Sequence, residues 1–134
     1  MKRIPHISAL MTAFPWHLDI DTPAQEARRF MQDHELHHLP VTRGGSEVAG
    51  VVDATQLPNG VSGKLADLVQ PVRCVDAQMR ADEVLDIMAQ EHCAQVLVMH
   101  HQRLAGIYTW TDACRDFADL LREPFKPNGG NDAA

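Results

Sequence analysis

Three short stretches of this chain carry side chains able to do chemistry. His34-Glu35-Leu36-His37-His38 spells HExxH, in which two histidines on one helix face hold zinc and the glutamate acts as base. Pro40 follows closely, so His37 and His38 sit at the entry to a strand and the required helix face is missing. No metal site is expected there. Thr109-Trp110-Thr111-Asp112 brings two hydroxyls and a carboxylate together, and the plain reading is a helix start capped by Thr111 or Asp112. His100-His101 reads as a polar hairpin turn. Cys74, Cys93 and Cys114 are odd in number and lack CxxC spacing, which indicates reduced, small buried residues in a cytoplasmic protein. Neither a nucleophile pair nor a paired acid and base emerges, so no enzyme is expected.

Composition narrows the classes further. The 134 residues suffice for one domain, and a 45% hydrophobic content with only 5% aromatics implies an aliphatic core. A net charge of −6 disfavours sequence-independent binding to nucleic acid or to an anionic membrane. No apolar run is long enough for a membrane helix, and the first residues lack a signal peptide's apolar stretch.

The elements that must position these residues are written twice. Thr22–Pro40 aligns with Met79–Leu97 at an offset of 57, matching Ala27 to Val84, Met31 to Met88 and Leu39 to Val96. After one deletion, Gly50-Val51-Val52 falls on Gly106-Ile107-Tyr108. Upstream, Leu18 matches Val75, and Ala9-Leu10-Met11 matches Asp67-Leu68-Val69. Within copy one, Leu18 and Ile20 alternate as a strand, and Thr22-Pro23-Ala24-Gln25 predicts a capped helix start. Leu39-Pro40-Val41 begins a second strand, and Gly44-Gly45 turns into a third over Val48–Val52.

Copy two repeats the order. It adds a helix over Asp112–Leu121 with Ala113, Phe117, Leu120 and Leu121 facing inward. Pro58-Asn59-Gly60 cuts the corresponding helix short in copy one. The expected divisions are repeat one at 4–57, a linker at 58–64, repeat two at 65–121 and a flexible tail at 122–134. The fold class is α/β (α+β), two β-α-β-β-α units related by a pseudo-two-fold axis in one module. One such unit cannot bury its own apolar faces, whereas two together can, leaving two clefts at their junction.

In Leu10-Met11-Thr12, His37-His38-Leu39-Pro40-Val41 and Gly106-Ile107-Tyr108-Thr109-Trp110-Thr111-Asp112, the chain resembles the CBS domain family, whose repeats pair as Bateman modules. Phe14-Pro15 is similar to its small stand-alone bacterial members. The resemblance implies clefts for an adenosyl ligand such as AMP, ADP, ATP or S-adenosylmethionine, with no required cofactor. The family's Gly-x-x-Thr/Ser-x-x-Asp segment, intact here as Gly106, Thr109 and Asp112, holds ribose and phosphate, and Thr111 offers a further hydroxyl. Vicinal ribose hydroxyls suit a carboxylate acceptor. Phosphate would face His37 and His38. Adenine would lie against Ala94, Gln95, Val96 and Leu97, with Cys74 in the same site.

Asp53 and Gln56 stand where copy two has Thr109 and Asp112, and a carboxylate repels phosphate, so one occupied cleft is expected. The implied function is a regulatory module, a homodimer through its helices, acting on a protein partner in trans. The alternative is an interaction module with vestigial clefts. Trp16 and Trp110 flank the cleft mouths, where packing is the plainer role and stacking on adenine the sharper one.

Overall fold

Short apolar strands and two amphipathic helices recur along the chain, and a computed structural model describes residues 3–123. In order, the elements are β1 (Thr12–Ala13), β2 (Leu18–Asp19), α1 (Ala24–Asp33), β3 (His38–Arg43), β4 (Glu47–Asp53), β5 (Arg73–Asp76), α2 (Ala81–Glu91), β6 (Gln95–His100), β7 (Arg103–Thr109) and α3 (Trp110–Arg122). They build two sheets, β2-β3-β4 and β1-β7-β6-β5.

The duplication holds residue by residue. His38 faces Asp53 across the first hairpin as Gln95 faces Thr109 across the second, and both hairpins shift register, at Val41/Thr42 and Val98/Met99. The parallel strands repeat too, with Leu18 beside Val41 and Val75 beside Val98. Where copy two continues into α3, copy one has a single 3₁₀ turn, Ala54–Gln56.

The repeats complete each other by exchange. β1, which precedes repeat one's first helix, pairs with β7 in repeat two's sheet, and Gln70 bridges to Val51 in repeat one's sheet. Ile7, fully buried, belongs to the cluster of Val75, Val84, Met88, Val96, Val98 and Tyr108. Leu65, equally buried, lies with Ala24, Ala27, Met31, Leu39, Val41 and Val52. Gly50 and Gly106 admit the crossing segments. A Cβ at Gly50 would collide with the Gln70 carbonyl oxygen, and one at Gly106 with the Met11 side chain.

The crossing segments also cap the first two helices, and three expectations change on this fold. Thr22 does not cap α1. The helix begins at Ala24, whose N–H donates to the Gly63 carbonyl at 2.7 Å, leaving no role for the Thr22 hydroxyl there. At α2, Ala81 N–H donates to the Pro5 carbonyl at 2.8 Å in the same way. On α3, Phe117, Leu120 and Leu121 face outward at 60%, 47% and 69% exposure rather than inward, and only Ala113 packs on the core. Helical spacing defines an apolar face, but this chain alone provides nothing to cover that one. Cys74 and Cys114 are exposed and Cys93 is only half-buried; for Cys74 the reason is that β5 is an edge strand whose Val75, not Cys74, faces inward. Arg122 still belongs to α3; the rest of the expected tail, from residue 124, lies outside the described residues.

Candidate functional site

The last residue of β7 and the first turn of α3 form one polar knot. Thr109, in extended conformation, is the N-cap: its hydroxyl accepts from Asp112 N–H at 3.1 Å. Asp112 Oδ2 accepts in return from the Thr109 N–H at 3.0 Å and the Thr109 hydroxyl at 2.9 Å. This is a capping box with aspartate as the returning acid. Among the described residues Asp112 Oδ1 meets only the guanidinium of Arg115, at 3.4 Å and largely in water. One carboxylate oxygen thus holds the helix start, and the other remains available to donors such as a diol.

A cavity of about 750 Å³ opens on this knot, within the range of small-molecule sites. Ile107, Thr109, Thr111 and Asp112 line it from repeat two. Repeat one supplies the opposite wall with Thr12, Ala13, Phe14, Pro15 and Trp16, then Glu35, Leu36, His37, His38 and Pro40. The structure therefore brings five expected residues together: Thr109, Thr111, Asp112, His37 and His38.

It does not bring Ala94, Gln95, Val96, Leu97 or Cys74 into this cavity. Val96 and Leu97 are fully buried in the middle of their sheet. By strand register, Gln95 is the counterpart of His38. The Gln95 Oε1 is buried without a hydrogen-bond partner among the described residues.

The apolar wall was the part least visible beforehand. Trp16 stacks on His34 at 4.3 Å and meets Phe30 edge-on at 5.7 Å, so its ring is held at the cavity mouth. Phe14, 91% exposed, adopts a positive φ of 50°, and its N–H is tied to the Ala105 carbonyl at 3.0 Å. Trp110 is half-exposed at the start of α3 and does not line the cavity. The sequence signal for the wall was the upstream match of Leu10-Met11 to Leu68-Val69, which marks equivalent crossing segments but not their destination.

HExxH is dispersed by the fold. α1 ends at Asp33, His34 caps it and stacks on Trp16, and His38 already opens β3. The thiols also lack the character of nucleophiles. Desolvation raises the pKa of Cys74 despite Arg73, and desolvation followed by Glu91 raises that of Cys93, the reverse of an activated thiolate.

At the corresponding end of β4 the Asp53 and Gln56 side chains are engaged within the protein. Asp53 N–H donates to Gln56 Oε1 at 2.9 Å, and the Gln56 amide donates to the Leu68 carbonyl at 2.9 Å. Asp53 Oδ1 lies 2.7 Å from His38 Nδ1, so this carboxylate reaches across to a residue that lines the Asp112 cavity.

Comparison with known proteins follows these divisions. The CBS domain family model matches residues 7–57 and 65–119. The structure of the CBS domain of a bacterial CNNM/CorC family Mg²⁺ transporter in complex with ATP aligns at TM-score 0.77 and 17% identity, over 84% of this chain and 87% of that one. CBSX2 in complex with AMP aligns at TM-score 0.75 and 18% identity, over 87% of this chain and 98% of that one. A homoserine O-acetyltransferase from Methanocorpusculum labreanum (strain ATCC 43576 / DSM 4855 / Z) is 31% identical over 64 residues, 48% of this chain but 13% of that protein. The chain thus matches only a small part of the curated relative.

Proposed function

The chain belongs to the CBS domain family as a tandem pair of repeats, and from this premise we propose that its Asp112 cavity binds an adenosyl ligand and that the module is regulatory rather than catalytic. The observation carrying this reading is Asp112 Oδ1, held only by the exposed Arg115 among the described residues, at the edge of a cavity walled by both repeats. Ribose hydroxyls donate to that oxygen. The phosphate lies over the start of α3, where the Thr111 hydroxyl lines the cavity and the helix N-terminus favours an anion. The phosphate also faces His37 and His38 on the repeat-one wall, and the base lies toward Trp16, Leu36 and Pro40. AMP, ADP and ATP are the first ligands to try, and the AMP and ATP complexes of structural relatives support that choice.

A ligand that touches both walls favours one packing of the repeats over others, by as much as its affinities for the two differ. Readout falls to a second copy or a protein partner in trans. The outward face of α3, with Trp110, Phe117, Leu120 and Leu121, supports a homodimer through the helices. Free thiols in all three cysteines support a cytoplasmic setting, and no helix among the described residues is long and apolar enough to cross a membrane. The internally paired end of β4 favours the second reading, an interaction module with vestigial clefts, for the Asp53 side only.

The test is a thermal-shift panel of AMP, ADP, ATP, S-adenosylmethionine and NAD on wild type and Asp112→Ala. Ligand at 100 times its dissociation constant should add about 2.7 kcal/mol of stability to wild type. The variant should lose that gain, and also about 1 kcal/mol of unliganded stability from its helix cap. No shift with any ligand, on protein purified ligand-free, would leave the interaction module.

A further inference from the structure

The outward side of α3 is patterned as well as apolar. Trp110, Cys114, Phe117 and Leu121 follow one another at spacings of four, three and four, the pattern with which one helix packs along another. All four are exposed, and Leu120 widens the strip on one side. Within the chain α3 is held through Ala113 and the Asp116–Tyr108 bond, and among the described residues nothing covers this seam. Repeat one has no equivalent helix among the described residues, since its chain turns away at Pro58-Asn59-Gly60. By the duplication, Arg28, Gln32 and Glu35 of α1 take the positions that Leu85, Ala89 and His92 hold on α2. Those three polar residues border, with Ala54 and Leu57, a cavity of about 330 Å³ where repeat two carries α3. Leu85, at the matching place in repeat two, is a partly exposed apolar residue. The helix surface of repeat two is therefore apolar, and that of repeat one is charged.

Resting on the homodimer proposed above and going beyond it, we infer that two copies meet through repeat two alone. The α3 helices pack against each other about a two-fold axis, and the helix surface of repeat one stays in water. Three features select a second copy as the occupant. A seam of this spacing is matched by another of the same spacing, and a two-fold axis supplies it from α3 itself. In an antiparallel pair the first turn of each helix, with Asp112, comes near the last turn of the other, with Arg122, so opposite charges and opposite ends of the helix dipoles meet. Finally, Trp110, Phe117, Leu120, Leu121 and Leu85 expose roughly 500 Å² of side chain, about 1,000 Å² for a symmetric pair, which reaches the size of a specific interface.

The test is sedimentation equilibrium on wild type, Phe117→Asp and Arg28→Glu, with melting curves to confirm folding. Wild type should be dimeric at about 100 μM. Phe117→Asp should weaken the dimer by about tenfold or more, whereas Arg28→Glu should stay within about twofold of wild type. A second measurement needs no substitution. Iodoacetamide labelling read by mass spectrometry should slow at Cys114, and not at Cys74, as wild type is concentrated through its dimerisation range. Loss of the dimer in Arg28→Glu would overturn the inference and leave a homodimer of another geometry. So would a dimer untouched by Phe117→Asp whose Cys114 is labelled at a constant rate. Wild type still monomeric at about 1 mM would overturn the homodimer too. None of these results bears on the Asp112 cavity as a nucleotide site.

Discussion

The two strand ends that follow the two central hairpins differ although the strands beneath them agree. Thr109–Asp112 closes a capping box, and at Asp53–Gln56 the Gln56 side chain returns to the Asp53 N–H in the same way that Asp112 returns to the Thr109 N–H. In repeat two the cap is made with a hydroxyl and one oxygen of Asp112, and the other oxygen is left to solvent and Arg115. In repeat one the acid stands at the capping position, its carboxylate taken by His38, while the Gln56 amide is taken by the Leu68 carbonyl. Exchanging the positions of acid and neutral polar residue keeps the turn but reassigns the spare acceptor. In repeat two it faces a ligand directly, and in repeat one it orients a histidine that faces the same cavity.

If this asymmetry is confined to the strand ends, damage to the shared scaffold should cost both repeats alike. Ile7→Ala and Leu65→Ala each remove a fully buried side chain that one repeat lends to the other's core. Each should destabilise the whole module by about 2–5 kcal/mol, read as one urea transition moved to lower midpoint. Two separated transitions in either variant would mean that the repeats are independent.

The crossing glycines should show a smaller and unequal effect. Gly50→Ala sets a Cβ against the Gln70 backbone carbonyl, which cannot rotate away, and should cost about 1–3 kcal/mol. Gly106→Ala meets mainly the flexible Met11 side chain and should cost less. Paired denaturation curves decide the order, and equal costs would remove this difference between the repeats.

Tyr108 gives the smallest effect and the most specific to repeat two, because its counterpart is Val52. Its buried hydroxyl donates to Asp116 Oδ2 at 2.7 Å, anchoring α3 to β7. Tyr108→Phe should cost about 1 kcal/mol. Desolvation first, then Asp116, raises the phenol's pKa in the folded state above its ordinary value of 10.0. The folded protein thus keeps a proton that the unfolded chain loses. Wild-type stability should fall as pH rises above 10, and the slope should be shallower in Tyr108→Phe when unfolding is followed across that range.

The strands and two long helices were legible because their signals are local. Leu18 and Ile20 alternate with polar neighbours, Val48–Val52 and Leu104–Thr109 are short apolar runs bounded by turns, and Ala24, Ala27 and Met31 keep helical spacing. What was not legible depends on partners far along the chain. Thr22 looks like a helix cap, yet the Gly63 carbonyl arrives from the linker and does that work. Phe117, Leu120 and Leu121 mark an apolar face, but periodicity does not say what lies against it. In the site, Thr109 and Asp112 were readable from their order. The opposing wall at Trp16 and the Asp53–His38 contact exist only once two hairpins and a crossing segment have met.

The exchange of Ile7 and Leu65 has a consequence for how the chain comes to be folded. Synthesis delivers Ile7 long before Val98 and Tyr108, the strand residues that bury it, while Leu65 follows directly on the repeat whose core it completes. The earlier repeat can therefore consolidate as soon as its plug emerges, whereas the later one must recover an anchor made about a hundred residues before its last strand. Until then that anchor and the strand behind it remain exposed to other chains.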